Sequence, residues 1–301
     1  MTRNEAYPPF FADEAAQRDA ALFHVIPAPY EETVSYGGGT RLGPSAILAA
    51  SDQLEEFDGV DVPAAHGVWT APPVDCAGGP EKTLATIETA VAESLDQGKI
   101  PVLLGGEHTV TLGALRACAK RFGPFGVIQF DAHADLRDAY QGSPLSHACV
   151  MRRAFELDLR LFQIGVRALC LEEVNFRQAN PQIGHLDGRD LGARLLAGKG
   201  LPETILPPDF PETVYLTFDV DGLDPSVIAA TGTPVPGGLS WRAAMDAMEK
   251  CLKGRRVIGC DVVELAPRPG AIESDFAAAL LTYCMMGMIG RGMPPAAQGN
   301  F

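Results

Sequence analysis

The chain has 301 residues, 47% of them hydrophobic, and 38 acidic against 24 basic side chains give it a formal net charge of −14. This composition allows a large buried core, argues against disorder, and disfavours nucleic acid or an anionic membrane as a partner. Seven cysteines without a C-x-x-C pair read as reduced, mostly buried thiols, and the charged residues 1–21 lack the apolar run of a secretory signal, so a cytoplasmic location is expected.

Residues 1–20 read as an irregular arm. Residues 21–26 form the first strand candidate, ended by Pro27 and Pro29, with His24 as a packed histidine inside it. The loop 36–41 is glycine-rich but lacks the spacing of a phosphate-binding P-loop. A helix is predicted over 46–57 with Pro44 near its first turn, and an amphipathic one over 83–97, where Leu84, Ile87, Val91 and Leu95 recur at helical spacing. The apolar run 100–104 is a strand leading into Gly105-Gly106-Glu107-His108, followed by a helix over 109–122. Further strands are predicted over 126–129, 160–165, 213–218 and 256–262, the last ending in Val263-Glu264. A helix over 241–252 is capped by Ser240 and stopped by Gly254. The apolar helix expected over 276–289 is shorter than the ~20 residues that span a bilayer. Strands alternating with helices indicate an α/β chain, folded as a single domain over 1–301, with a central, mostly parallel sheet between two helical layers.

Three of these strands end in residues that bind metals. The strand 126–129 runs into Asp131-Ala132-His133-Ala134-Asp135, and extended chain would put Asp131, His133 and Asp135 on one face. The strand 213–218 runs into Asp219 and Asp221, again on one face, and the third ends at His108. Ligands of open α/β sheets sit beyond the carboxyl ends of strands, so four carboxylates and two imidazoles would converge there. That set is too large for one zinc ion and suits a pair of harder, Mn-type divalent ions.

With these motifs the chain resembles the ureohydrolases, the arginase and agmatinase family. The resemblance runs from Tyr36-Gly37-Gly38-Gly39-Thr40 through Ser146-His147 and the stretch Gly232 to Leu239 as far as Pro267. It implies the arginase/deacetylase-like three-layer αβα fold, a homo-oligomer (trimer or hexamer), and two metal ions, Mn2+, held by His108, Asp131, His133, Asp135, Asp219 and Asp221. Two such ions can share a water and lower its pKa enough to give the hydroxide that attacks an unreactive guanidinium carbon. Asp135 then belongs to the catalytic set as a ligand.

His147, twelve residues beyond Asp135, matches the family's mobile-loop histidine and is expected to protonate the leaving amine. Glu264, at the end of a strand, is expected to hold the substrate's planar guanidinium bidentately, and Thr233 to line the same pocket. Glu107 should point away from His108 and act only from behind. His66 and His185 are expected at the surface.

The stretch 136–147 departs from the arginase pattern and looks more like agmatinases, which convert agmatine to putrescine and urea. Asp138 is the candidate partner of a substrate's distal amine, by charge alone. Arg137, were it to face the pocket, would favour a carboxylate tail such as that of guanidinobutyrate. Other linear guanidines (arginine, aminopropylagmatine) and formiminoglutamate are the alternatives. A single-zinc deacetylase-like reading is separated from these by metal content.

Overall fold

The computed structural model describes residues 7–293, so the first six residues of the expected arm lie outside the described part. Eight strands form one sheet: β1 (Phe23–Ala28), β2 (Val68–Thr70), β3 (Ile100–Gly105), β4 (Gly126–Phe130), β5 (Arg160–Ile164), β6 (Gly184–Leu186), β7 (Thr213–Asp219) and β8 (Arg256–Val263). Their order is β2-β1-β3-β8-β7-β4-β5-β6, and every pairing is parallel. The α-helices are α1 (Gly43–Ser51), α2 (Pro80–Asp96), α3 (Val110–Phe122), α4 (Val150–Glu156), α5 (Leu171–Ala179), α6 (Gly188–Leu196), α7 (Trp241–Leu252) and α8 (Ile272–Gly292).

A parallel sheet needs cover on both faces, which is why its strands are apolar almost throughout. Successive strand residues feed two separate cores. Val102 and Leu104 of β3, Ile128 and Phe130 of β4, and Leu216 and Phe218 of β7 pack under α1, α7 and α8. Leu103, Val127 and Tyr215 face the opposite core, built with α2, α3 and α4. The three expected layers are present.

Several boundaries differ from the sequence expectation. The first helix begins earlier and ends at Ser51 rather than residue 57; the Ser51 hydroxyl donates back to the Leu48 carbonyl at 2.7 Å and accepts the Phe11 N–H at 2.9 Å. Helix α8 is 21 residues long, enough by length and composition to cross a membrane, but 56% of its most apolar stretch is buried within the fold. β2 and β6 have three residues each, too few for an alternation to register. His24 is buried as expected, between Ser94 Oγ at 3.1 Å and the Arg18 carbonyl at 3.0 Å. His66 is a correction: it is half-buried, its ring edge-on to Phe23 at 6.2 Å. His185 is 42% exposed and pairs with Asp187. All seven cysteines are free, four of them buried.

The four central strands, β3, β8, β7 and β4, are consecutive in the sheet although far apart in the chain. Their carboxyl ends border a common crevice. Gly106, just past β3, lets the chain pass close to β1: a Cβ there would lie 1.9 Å from the Tyr30 carbonyl oxygen.

Candidate binuclear metal site

Each of these four strand ends delivers one part of the site. His108 follows β3, Asp131 to Asp135 follow β4, Asp219 ends β7 with Asp221 in the 3-10 turn after it, and Glu264 follows β8. Strand β4 stops at Phe130, so the common direction of the D-x-H-x-D side chains is not simple strand alternation. Asp135 is turned inward by a left-handed backbone, φ 53°, and Glu264 has φ 66°. Such conformations cost about 1–3 kcal/mol each and persist where the surroundings over-determine them.

His108 Nδ1 lies 3.0 Å from Asp135 Oδ2, 3.2 Å from Asp131 Oδ2 and 3.5 Å from Asp219 Oδ2. It is nonetheless a buried nitrogen with no aligned hydrogen bond. His133 Nδ1 lies 3.1 Å from Asp221 Oδ2 and 3.6 Å from Asp131 Oδ1. Ligands at right angles about a cation bonded at ~2.1 Å stand about 3 Å apart, the spacing seen in both groups. His108, Asp131 and Asp135 form one candidate metal group; Asp131, His133 and Asp221 form the other. Asp131 belongs to both, with one oxygen toward each.

The electrostatics favour added positive charge. Asp131, Asp135, Asp219, Asp221 and Glu264 are all at most 7% exposed. Burial pushes Asp135 up, to about 7, with the Asp131 charge adding to it, and pushes Asp219 well above the usual carboxylate range, with Asp221 and Asp131 adding to it. For Asp131 burial acts in the same direction, but His108 and His133 outweigh it and hold the carboxyl below its ordinary value. For the rings, burial opposes the charged form, yet the facing carboxylates raise His108 well above normal and His133 to about 12. Buried like charges at this density need cations. The oxygen-rich donor set with two imidazoles fits a pair of hard divalent ions.

The outer side of His108 is anchored from below. Its Nε2 meets Thr217 Oγ1 at 3.0 Å, and that hydroxyl donates to Asp261 Oδ1 at 2.6 Å, leaving Nδ1 turned to the carboxylates. Glu264 accepts the His108 N–H at 2.6 Å through Oε1, the only hydrogen bond of its carboxyl group among the described residues. Burial and the neighbouring Glu107 charge push its carboxyl well up.

Glu264, Thr233 and His147 line a narrow inner cleft with the metal-group residues. Thr233 Oγ1 is 3.5 Å from Asp221 Oδ2. Through His133, Asp135, His147 and Thr233 the cleft joins an outer cavity of about 370 Å³, whose wall includes Arg137, Tyr140, Leu169, Cys170 and Glu173. Arg137 stacks over the Tyr140 ring at 4.7 Å, and Tyr140 stands edge-on to His147 at 5.9 Å. Burial pushes the His147 imidazole below its ordinary value, which favours the uncharged ring.

Asp138, expected to face a substrate amine, does not line either space. Its side chain is 66% exposed and bonds Arg153 at 2.7 Å. Beside the metal-group residue Asp135, the carboxylate in the outer wall is instead Glu173, which also accepts the N–H groups of Leu136 and Cys170. The loop 136–146 leaves Asp135 and returns at His147, closed by Arg137 N–H donating to the Ala148 carbonyl at 3.2 Å. The glycine-rich loop meets the Gly-Thr-Pro stretch backbone to backbone: Gly37 N–H donates to the Gly232 carbonyl at 3.2 Å, and a Cβ on Gly37 would lie 2.9 Å from that oxygen.

Sequence reasoning missed Arg167, just past β5. Its guanidinium donates to the carbonyls of Asp221 and Val235, each at 2.7 Å, and so ties the Asp221 turn to the Thr233 loop. Its position beyond a strand end, like that of the ligands, was the available signal. Thr33 was also missed, and no motif marks it.

The arginase family model matches residues 21–287. The chain belongs to the arginase family. It is 39% identical to an N(1)-aminopropylagmatine ureohydrolase of Synechocystis over 285 residues, covering 90% of each chain. It is 32% identical to an agmatinase of Pyrococcus horikoshii, covering 90% of this chain and 93% of that one. The agmatine ureohydrolase structure of Thermoplasma volcanium superposes with a TM-score of 0.80 at 28% identity, covering 94% of both chains. The arginase-family fold and a ureohydrolase activity therefore account for the chain, and the His/Asp groups described above stand where the fold converges.

Proposed function

We propose that this ureohydrolase acts on a linear guanidine with an amine-bearing tail, aminopropylagmatine or agmatine, and releases urea. What carries the reading is the continuity of the two spaces: an inner cleft with the metal groups and Glu264, opening past His147 into the outer cavity. The planar guanidinium fits the inner cleft, where Glu264 offers its unbonded oxygen and Thr233 a hydroxyl. Two Mn-type ions, when bound, supply Lewis acidity and an activated water. His147 moves a proton to the departing nitrogen as the C–N bond breaks. The tail extends along the outer cavity, where Glu173 is the acidic group of the wall. The aminopropylagmatine ureohydrolase at 39% identity supports an amine tail.

One observation favours a second reading. Arg137 lines the outer cavity, and a guanidinium there suits a carboxylate tail such as that of guanidinobutyrate. A panel decides: urea release by Mn-loaded protein from aminopropylagmatine, agmatine, guanidinobutyrate and arginine, with ammonia release from formiminoglutamate alongside. The amine-tailed guanidines are expected to give the highest kcat/KM. Dominant turnover of guanidinobutyrate would transfer tail recognition to Arg137, and urea from none of them would overturn the proposal. A homo-oligomeric, cytoplasmic protein belongs to the same reading; sedimentation and cell fractionation test those two points.

A further inference from the structure

A hydroxyl has one hydrogen to give and two lone pairs to accept with. Thr33 Oγ1 meets three protein groups: Glu107 Oε1 at 2.6 Å, the backbone nitrogen of His147 at 3.1 Å, and His147 Nδ1 at 3.1 Å. Glu107 is an acceptor at every contact. Its Oε2 takes the N–H groups of Glu32 and Thr33, both at 2.6 Å, and its Oε1 takes the hydroxyls of Thr109 at 2.7 Å and Thr33. The Thr33 hydrogen therefore goes to the carboxylate, as the short, charge-assisted distance indicates. One Thr33 lone pair is occupied by the His147 backbone N–H. The other faces Nδ1, so Nδ1 carries a hydrogen. Ser146 Oγ, 3.3 Å from the same nitrogen, takes the weaker branch of that bond. Were Ser146 to donate instead, the lone pairs of Thr33 and Nδ1 would oppose each other at 3.1 Å.

We propose that, within the hydrolase reading above, Thr33 and Glu107 are positioning residues that hold His147 as its Nδ1–H tautomer and present the basic Nε2 edge to the guanidine. Tyr140, edge-on to the ring, fixes its plane. The neutral ring then takes the proton of the attacking water on Nε2, and the imidazolium returns it to the leaving nitrogen as the C–N bond breaks. A ring protonated on Nε2 alone has its lone pair on Nδ1, against Thr33, and none on the Nε2 edge to begin that cycle. Glu107 sits beside the metal-group residue His108 in sequence but reaches His147 through Thr33.

The test is the ring-nitrogen NMR spectrum of full-length protein carrying 15N-histidine and loaded with diamagnetic Mg2+, with His147→Gln identifying the His147 signals among six histidines. At about pH 8, where the ring is neutral, Nδ1 should show a protonated and Nε2 an unprotonated shift. Thr33→Val should mix or invert the two forms and lower kcat of the Mn-loaded enzyme at least ~10-fold, with KM within about twofold; Thr33→Ser should restore both. A wild-type ring protonated on Nε2, or a Thr33→Val protein with unchanged shifts and kcat, would overturn the proposal. The wild-type shifts decide it even if Thr33→Val fails to fold. They also do so if no guanidine is hydrolysed, an outcome that counts against the activity and not against the tautomer.

Discussion

Asp138 Oδ1 accepts a hydrogen bond from Arg153 Nη2 at 2.7 Å, on the outer side of the loop that follows Asp135. The nearest acidic residue after the D-x-H-x-D motif is thereby turned away from both the inner cleft and the outer cavity. Exposed ion pairs of this kind contribute little, so Asp138→Ala is expected to leave kcat/KM for agmatine and aminopropylagmatine within about twofold of wild type. A large rise in KM for the amine-tailed substrates alone would return Asp138 to the pocket.

Asp131 turns one oxygen toward each histidine of the site, so its loss should be felt by both metal groups, whereas Asp221 serves only the second. Metal analysis after dialysis is expected to find two divalent ions per wild-type chain, about one in Asp221→Asn, and less than one in Asp131→Asn. Removing the ions should also lower the thermal midpoint, because close carboxylates are then left without their cations. Equal metal content in the two variants would contradict the shared role of Asp131.

His147→Asn should lose about 10²–10⁴ in kcat while keeping metal content and changing KM little, since the ring moves a proton and holds no ion. If metal content falls in step with activity, His147 is a ligand and the assignment is wrong.

Burial pushes the His24 imidazole below its ordinary value, the Arg18 carbonyl opposing and Lys99 and Arg18 adding to the fall. The folded chain then binds fewer protons than the unfolded chain once pH drops through the ordinary histidine pKa of ~6.5. His24 thus costs stability progressively as pH falls below that value, until the folded-state pKa is also passed. Thermal unfolding of His24→Gln against wild type should show a smaller loss of melting temperature between about pH 7 and pH 5. A steeper loss in the variant would reverse the sign argued here.

Gly37→Ala places a methyl group against the Gly232 carbonyl and should part the two loops at the cleft mouth. The expected result is a stability loss of about 1–3 kcal/mol and a raised KM, measured by denaturant titration and urea release.

The reaction centre was legible because its residues recur at short intervals after apolar strands: Asp131, His133 and Asp135, then Asp219 and Asp221, carry both their chemistry and their position in a few letters. The wall of the outer cavity was not. Glu173 sits on a helix that no periodicity announced, and its contact to Leu136, 37 positions away, exists only once the chain has folded. Thr33 and Glu107 are separated by 74 positions and meet because Gly106 allows the two chains to approach. Asp138 was read from its charge alone, which says nothing of which side of a loop a side chain takes. Strands β2 and β6 escaped because three residues cannot display a period.

The loop 136–146 has a consequence for how this enzyme's preferences can change. Eleven residues separate Asp135 from His147, and the hydrogen bonds from Arg137 to Ala148 and from Arg152 to Asp135 fasten the loop at its two ends. Insertions or deletions would move the reacting groups relative to each other. A replacement at Arg137 would alter only the lining, whereas one at Tyr140 would also touch the His147 ring. Tail preference should therefore drift by exchange of side chains at constant loop length, and a randomised library of that fixed length is the place to look for new substrates.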